Sequence, residues 1–104
     1  MFGLIKQMLG FGTKVDFAGL LRNGGIIIDV RTKGEFNGGN IKDSLNIPLD
    51  QIASNLSRLK DKDAPIITCC ASGMRSANAK MILKSKGYIN VHNGGGWSSL
   101  RSKL

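Results

Sequence analysis

"APIITCCASGMRSANAKMILKSKG", residues 64–87, joins an apolar run to a segment of helical period through a short loop that carries a thiol, a glycine and an arginine. The run "APIITCC" is short and has no clean polar alternation, the pattern of a strand buried on both faces. The spacing that follows predicts a helix over 75–86, with Ala79, Ile82 and Leu83 facing inward and Ser76, Lys80 and Lys84 on the wet side. A buried strand that feeds a helix through a tight loop is half of a βαβ unit.

The same alternation extends in both directions. "GGIIIDV" (24–30) is a second buried strand, and "DFAGLLRNGG" before it reads as a short helix capped by Asp16, with Phe17, Leu20 and Leu21 on one face and Gly24 or Gly25 as its stop. "SLNIPL" (44–49) is a short strand ended by Pro48. "DQIASNLSRLKDK" places Leu49, Ile52, Ala53, Leu56 and Leu59 at helical spacing, with Asp50 as N-cap. "YINVH" (88–92) is the last strand, and Trp97, Leu100 and Leu104 form the stripe of a last helix. The class expected is α/β, a small parallel sheet with helices on both faces. In such sheets ligands bind beyond the carboxyl ends of the strands. Four loops should share that edge: those after Val30, after Ile47, from Cys70 onward, and "NGGGW" after His92.

With 104 residues the chain suits one domain with a real core, taken as 13–104 after a leader at 1–12. The leader carries Phe2, Ile5 and Leu9 on the stripe that a small amphipathic helix would present. It lacks the pattern of a secretory signal, and nowhere is there an apolar run of about 18 residues to span a membrane. The two cysteines are neighbours, so a disulfide between them would be strained, and free thiols in a reducing compartment, the cytoplasm, are expected. The net charge of +8 is scattered, without basic stripes interleaved with the six aromatics, so a solvated positive surface is favoured over nucleic-acid binding.

A cysteine at the last strand position, before a turn into a helix, gains stabilisation of its thiolate from inward-pointing amides of Ala71 through Ser76 and from the helix N-terminus. Thiols so placed ionise at roughly pH 3.5 to 7.5. Gly73 permits a positive φ and close approach of an anion, and Arg75 supplies a charge able to clamp an oxyanion. Alternation sends Cys69 to the opposite face, where it packs as a small hydrophobe. The Cys70 side chain is expected to meet the loop and not to be tucked into the interior. The loop is an anion-binding nucleophile site.

"IIIDVRTKGEFNGGNIKDSLNIPL" together with "IITCCASGMRSANAKMILKSKGYINVHNGGGW" resembles the rhodanese-like single-domain sulfurtransferases, from about residue 13 to the end. The matching pieces are Asp-x-Arg at 29–31, Glu-Phe at 35–36, Asn-Ile-Pro at 46–48, the Cys70-to-Arg75 loop followed by Ser76, and glycines near Trp97. The resemblance implies that Cys70 takes up a sulfane sulfur as a persulfide and hands it to cyanide or to a small-molecule or protein thiol. Ala71, Ser72, Gly73, Met74 and Arg75 would complete the anion-binding loop, with Asp29, Arg31 and Ser76 in support. It implies no metal or organic cofactor. Asp29 would help hold the loop, and Arg31 and Glu35 would pair across the next turn. The family's Gly-His-Ile reads Gly39-Asn40-Ile41 here, and the glycine after it is Asp43. Ala71 stands where thiosulfate-competent members often carry a cation, so poor thiosulfate activity is expected. His92 has a minor claim as a general base.

Two rivals remain. Cysteine phosphatases and arsenate reductases use a related loop with one residue more than the four between Cys70 and Arg75, usually after a histidine where this chain has Cys69. The smaller ring suits a sulfur atom better than a phosphoryl group. A sulfur-carrier or interaction module with little turnover is the other.

Overall fold

A computed structural model describes residues 14–104; the leader expected at 1–12 lies outside the described residues. Four strands, β1 (Ile26–Asp29), β2 (Leu45–Asn46), β3 (Ile66–Cys70) and β4 (Val91–Gly96), form a parallel sheet in the order β2-β1-β3-β4. The helices are α1 (Phe17–Arg22), α2 (Lys33–Asn37), α3 (Met74–Ser85) and α4 (Trp97–Arg101), with 3-10 turns at Leu49–Gln51 and Ala53–Arg58. No helix among the described residues is long and apolar enough to cross a membrane.

Strand alternation divides the core into two layers. Ile28, Val30, Ile66, Cys70 and Val91 pack with Ile47, Ile52, Leu59, Ala79, Leu83 and Tyr88 on the α3 side. Ile27, Ile67 and Cys69 pack with Phe17, Ile41 and Leu100 on the side of α1 and α4. Helices therefore cover both faces, and each fully buried aliphatic side chain contributes about 1.5–3 kcal/mol. Asp16 caps α1 as expected, its carboxylate accepting from the Gly19 amide at 2.9 Å, and Gly24 follows in a left-handed turn at φ 88°.

Four expectations need correction. The segment after Pro48 is 3-10 instead of α-helical, and Asp50 makes no capping hydrogen bond. The Ser54 hydroxyl and the Asn55 amide both donate to the Gln51 carbonyl, and this side-chain competition breaks the ladder at Asn55 (φ −118°). The last strand begins three residues later than "YINVH" suggests, because Tyr88 is buried and donates its hydroxyl to the Leu59 carbonyl. Leu104 stays 45% exposed, one turn past the end of α4. Ser76 is buried on the same stripe of α3 as Ala79 and Leu83.

Beside Cys70 the β3–β4 register slips. Thr68 pairs with Asn93 and Cys70 with Gly96, so two steps along β3 oppose three along β4. This bulge puts Gly95 at φ 80° and brings Gly96 against the loop, where a Cβ would lie 2.8 Å from the Ala71 carbonyl oxygen. Gly95→Ala, with open space around it, should cost only the left-handed strain of about 1–2 kcal/mol and leave Cys70 alkylation unchanged. Gly96→Ala should also displace Ala71 and change that alkylation rate. Denaturant titration and iodoacetamide kinetics on both variants check this; equal alkylation changes would refute it.

Candidate active site

Cys70 ends β3, and the chain turns through Ala71, Ser72 and Gly73 (φ 112°) into α3. The Gly73 amide donates to the Cys70 sulfur at 2.9 Å, and the Ser76 hydroxyl lies 3.4 Å from it. Burial pushes the Cys70 thiol up, but hydrogen bonds from the Ser76 hydroxyl and from the amides of Ser76, Gly73 and Ser72 outweigh it and bring the net shift below the ordinary thiol value. Of the six amides expected to turn inward, that of Gly73 makes the hydrogen bond to the sulfur, and those of Ser72 and Ser76 also favour its thiolate. Cys70 is only 1% exposed, against the expectation of a side chain clear of the interior. The turn folds back so tightly that its own amides roof the sulfur, while the Cβ side joins the apolar layer under α3. Ala71, Ser72 and Met74 form the outer surface of this roof, with Met74 78% exposed.

Cys69 points to the other layer, as the alternation predicts. Burial and the nearby Asp29 charge hold its thiol at about 12, so the neighbouring cysteines differ sharply in acidity. Both are free.

Ser76 anchors the inner end of the loop. Its hydroxyl lies 2.6 Å from the Asn93 side-chain oxygen and 3.0 Å from the Gly73 carbonyl. The Asn93 oxygen also accepts from the Gly95 amide at 2.9 Å, and its nitrogen donates to the Gly73 carbonyl at 3.3 Å. The β4 bulge and the loop are thus tied together through one amide side chain.

Asp29, wholly buried, accepts two hydrogen bonds at Oδ1 from the Arg31 amide and Nε, both at 3.0 Å, and two at Oδ2 from Nη2 at 2.7 Å and Nε at 3.1 Å. The Arg31 guanidinium continues to the Gly39 carbonyl at 2.6 Å and lies over the Trp97 ring, 4.6 Å from its centroid. Asn46 donates to the carbonyls of Asp29 and Arg31, both at 3.0 Å. Arg31 therefore pairs with Asp29 and not with the Glu35 carboxylate; it reaches only the Glu35 carbonyl, at 3.3 Å. The two-residue offset on a strand end lets the guanidinium fold back onto the aspartate.

Glu35 pairs instead with Arg75, forty residues away, through two hydrogen bonds of 2.7 and 2.9 Å. The hydrogen bond from Arg75, together with the Thr32 amide, lowers the Glu35 carboxyl to about 2. This pairing is present above the ordinary carboxylate range and is lost as pH falls towards about 2. Both terminal nitrogens of Arg75 are taken up, so the guanidinium is turned to Glu35 and not aimed at the sulfur. Beside it opens a cleft of ≈ 450 Å³ walled by Val30, Pro48, Leu49 and Ile82. His92 lies opposite Ile67 in mid-strand with its ring against the Asn90 side-chain oxygen at 2.7 Å. Burial, with Lys80 and Lys84, lowers its pKa, and its hydrogen bonds run to Asn90 and from Thr68, outside the loop.

The family model for the rhodanese-like domain matches residues 13–103. The chain belongs to the rhodanese-like domain family. It is 33% identical over 70 residues to thiosulfate sulfurtransferase PspE of Escherichia coli, covering 66% of this chain and 67% of that one. It is 34% identical over 67 residues to YqhL of Bacillus subtilis, covering 64% of this chain and 52% of the relative, so it spans about half of that protein's length. A solved structure described as rhodanese with anions from E. coli superposes with a TM-score of 0.69 at 30% identity, covering 72% of this chain and 89% of the other. Relatives named as sulfurtransferases support reading this rhodanese-like domain as an enzyme of that class.

Two parts of the site of this rhodanese-like domain were not read from the sequence. "TKGE" is a capping box, Thr32 accepting from the Glu35 amide and Glu35 from the Thr32 amide, and it builds α2 and aims Glu35 at Arg75. That pattern was legible; the role of Asn93, set by the bulge, had no sequence signal. Removing the buried charge should cost far more than removing the surface one. Asp29→Asn leaves Arg31 buried without a counter-charge and should lower stability by about 3–5 kcal/mol, whereas Glu35→Gln should shift the denaturation midpoint little. Denaturant unfolding of the two variants decides it; a larger loss in Glu35→Gln would contradict this account.

Proposed function

We propose that the protein is a sulfurtransferase that moves a sulfane sulfur through a persulfide on Cys70 to a thiophilic acceptor. The observation that carries this reading is the Gly73 amide 2.9 Å from the Cys70 sulfur, at the end of a strand and the head of a helix. Amides held in this way stabilise a thiolate before transfer and a charged persulfide after it.

The Cys70 thiolate attacks the outer sulfur of a donor such as thiosulfate or a polysulfide. The donor S–S bond breaks, its electron pair leaves with sulfite or the shortened polysulfide, and a Cys70 S–S bond forms. An acceptor thiolate or cyanide then attacks the terminal sulfur, and the pair of the breaking S–S bond returns to Cys70. The two displacements predict ping-pong kinetics. At 1% exposure Cys70 admits a donor only as the 71–75 backbone shifts outward. Ser72, Gly73 and Ser76 would hold the anion, and Ala71 and Met74 would face the incoming partner. Arg75 would hold the loop through Glu35, with Asp29 and Arg31 bracing the adjacent strand end.

Because Ala71 brings no charge and Arg75 is already paired, a thiosulfate dianion would gain little from local cations, and turnover with it should be slow. The same pairing counts against phosphatase chemistry, which would require the guanidinium over the sulfur. Acceptors would be cyanide, small thiols or a protein thiol in the cytoplasm, with no nucleic acid as partner.

Intact-mass measurement after incubation with thiosulfate or polysulfide tests the proposal on the wild type, Cys70→Ser and Cys69→Ser. One added sulfur atom should appear in the wild type and in Cys69→Ser and be absent from Cys70→Ser. Retention in Cys70→Ser would overturn it. Quick loading followed by sluggish transfer to cyanide would mark the protein as a carrier that serves one protein partner.

A further inference from the structure

The Ser76 hydroxyl has one proton and three acceptors within reach. They are the Asn93 side-chain oxygen at 2.6 Å, the Gly73 carbonyl at 3.0 Å and the Cys70 sulfur at 3.4 Å. The Asn93 amide is not free to flip, because its oxygen takes the Gly95 amide at 2.9 Å and its nitrogen serves the Gly73 carbonyl. With Cys70 as a thiol the arrangement is a one-way chain: S–H to the Ser76 oxygen, and Ser76 O–H to the Asn93 oxygen. With Cys70 as a thiolate the sulfur has no hydrogen to give, and the hydroxyl proton serves it best by turning away from Asn93.

We propose that Asn93 is a positioning residue for the Cys70 nucleophile, its side-chain oxygen competing with the sulfur for the Ser76 hydroxyl proton and so setting how readily the thiolate forms. This rests on Cys70 being the nucleophile. No bond other than S–H breaks: the thiol proton leaves to water, and the Ser76 O–H only rotates. The shortest of the three contacts is the one to Asn93, so the side chain favours the thiol form and opposes the amides, which favour the thiolate. The charged or titratable groups that act on the sulfur through space are Arg75 from α3, whose guanidinium is turned to Glu35, and Cys69 from β3, whose thiol points to the opposite layer. From β4 comes the uncharged Asn93, while His92 faces Lys80 and Lys84.

Asn93 is exposed and lies on the bulge, so substitution there need not disturb the core. The test follows the pH dependence of iodoacetamide alkylation of Cys70 in a Cys69→Ala background, with Asn93→Ala, Asn93→Asp, Ser76→Ala and the double variant Ser76→Ala with Asn93→Ala. Asn93→Ala should move the midpoint down by about half a pH unit, a roughly threefold gain in thiolate below the midpoint. Asn93→Asp, a stronger and charged acceptor, should move it up. In Ser76→Ala the Asn93→Ala change should have no effect, since the shared proton is gone. An unmoved midpoint in Asn93→Ala, a downward shift in Asn93→Asp, or the same Asn93→Ala shift with and without Ser76 would each overturn the proposal; the last would mean that Asn93 acts only by bracing the bulge. Alkylation follows the thiolate whether or not sulfur is loaded. Failure to load sulfur with shifted midpoints would remove the transfer reading, and normal loading with unmoved midpoints would remove this one alone.

Discussion

The last residue of β3 has to close the apolar layer beneath α3 and, at the same time, turn its sulfur to the amides of the loop that follows. Burial alone would hold the thiol protonated, as it does for Cys69, whose pKa stands at about 12. At Cys70 the amides of Ser72, Gly73 and Ser76 and the Ser76 hydroxyl act against that penalty and win. The backbone that delivers them is unusual at both ends. Gly73 sits at φ 112°, and the β4 bulge, with Gly95 at φ 80°, leaves room for the turn to fold back between β4 and α3. The difference between two adjacent cysteines is thus a difference in backbone, imposed by strand alternation and completed by glycine.

Around this turn the charges fall into two pairs of different kinds. Asp29 and Arg31 are buried together, with every carboxylate oxygen engaged and the guanidinium continuing to the Gly39 carbonyl and the Trp97 ring. Such a pair brings little net stability over an apolar substitute, but it fixes geometry, because breaking it leaves a buried charge. It joins the end of β1 to the 39–41 turn and to α4. Arg75 and Glu35 are about a third exposed, so their pairing is screened and energetically small, yet it spans forty residues and ties the loop to α2.

Much of the architecture was legible from residue types alone. Unalternated apolar runs at 26–30 and 66–70 gave a parallel sheet, and the period-2 rule separated the two cysteines correctly. What was misread depended on contacts that the pattern does not carry. Helical spacing at 49–59 did not reveal that Ser54 and Asn55 would spend their side chains on the Gln51 carbonyl. A serine at position 76 reads as solvent-facing unless one knows that a thiol lies beneath it. The partners of Arg31 and Glu35 were exchanged because a pairing across one turn is visible in sequence, whereas one between positions 35 and 75 is not. Asp43 shows the converse: where the family pattern has glycine, this chain keeps the left-handed conformation (φ 68°) with an aspartate, a residue that tolerates it better than most.

The strongly positive charge of the chain and the local neutrality of the loop act at different ranges. A net charge of +8 attracts anions over roughly a Debye length, about 8 Å at physiological salt, without selecting among them. At the sulfur itself no free guanidinium is offered, since Arg75 is committed to Glu35 and position 71 is alanine. Stabilisation there comes from oriented N–H dipoles, which favour a single compact negative charge more than a spread dianion. On the sulfur-transfer reading, the outer face of Ala71 and the exposed Met74 then meet the body of the partner molecule, and the ≈ 450 Å³ cleft walled by Val30, Pro48, Leu49 and Ile82 offers apolar surface beside Arg75. Attraction at long range and discrimination at contact are thereby carried by separate groups: scattered lysines and arginines for the first, and backbone amides with apolar walls for the second.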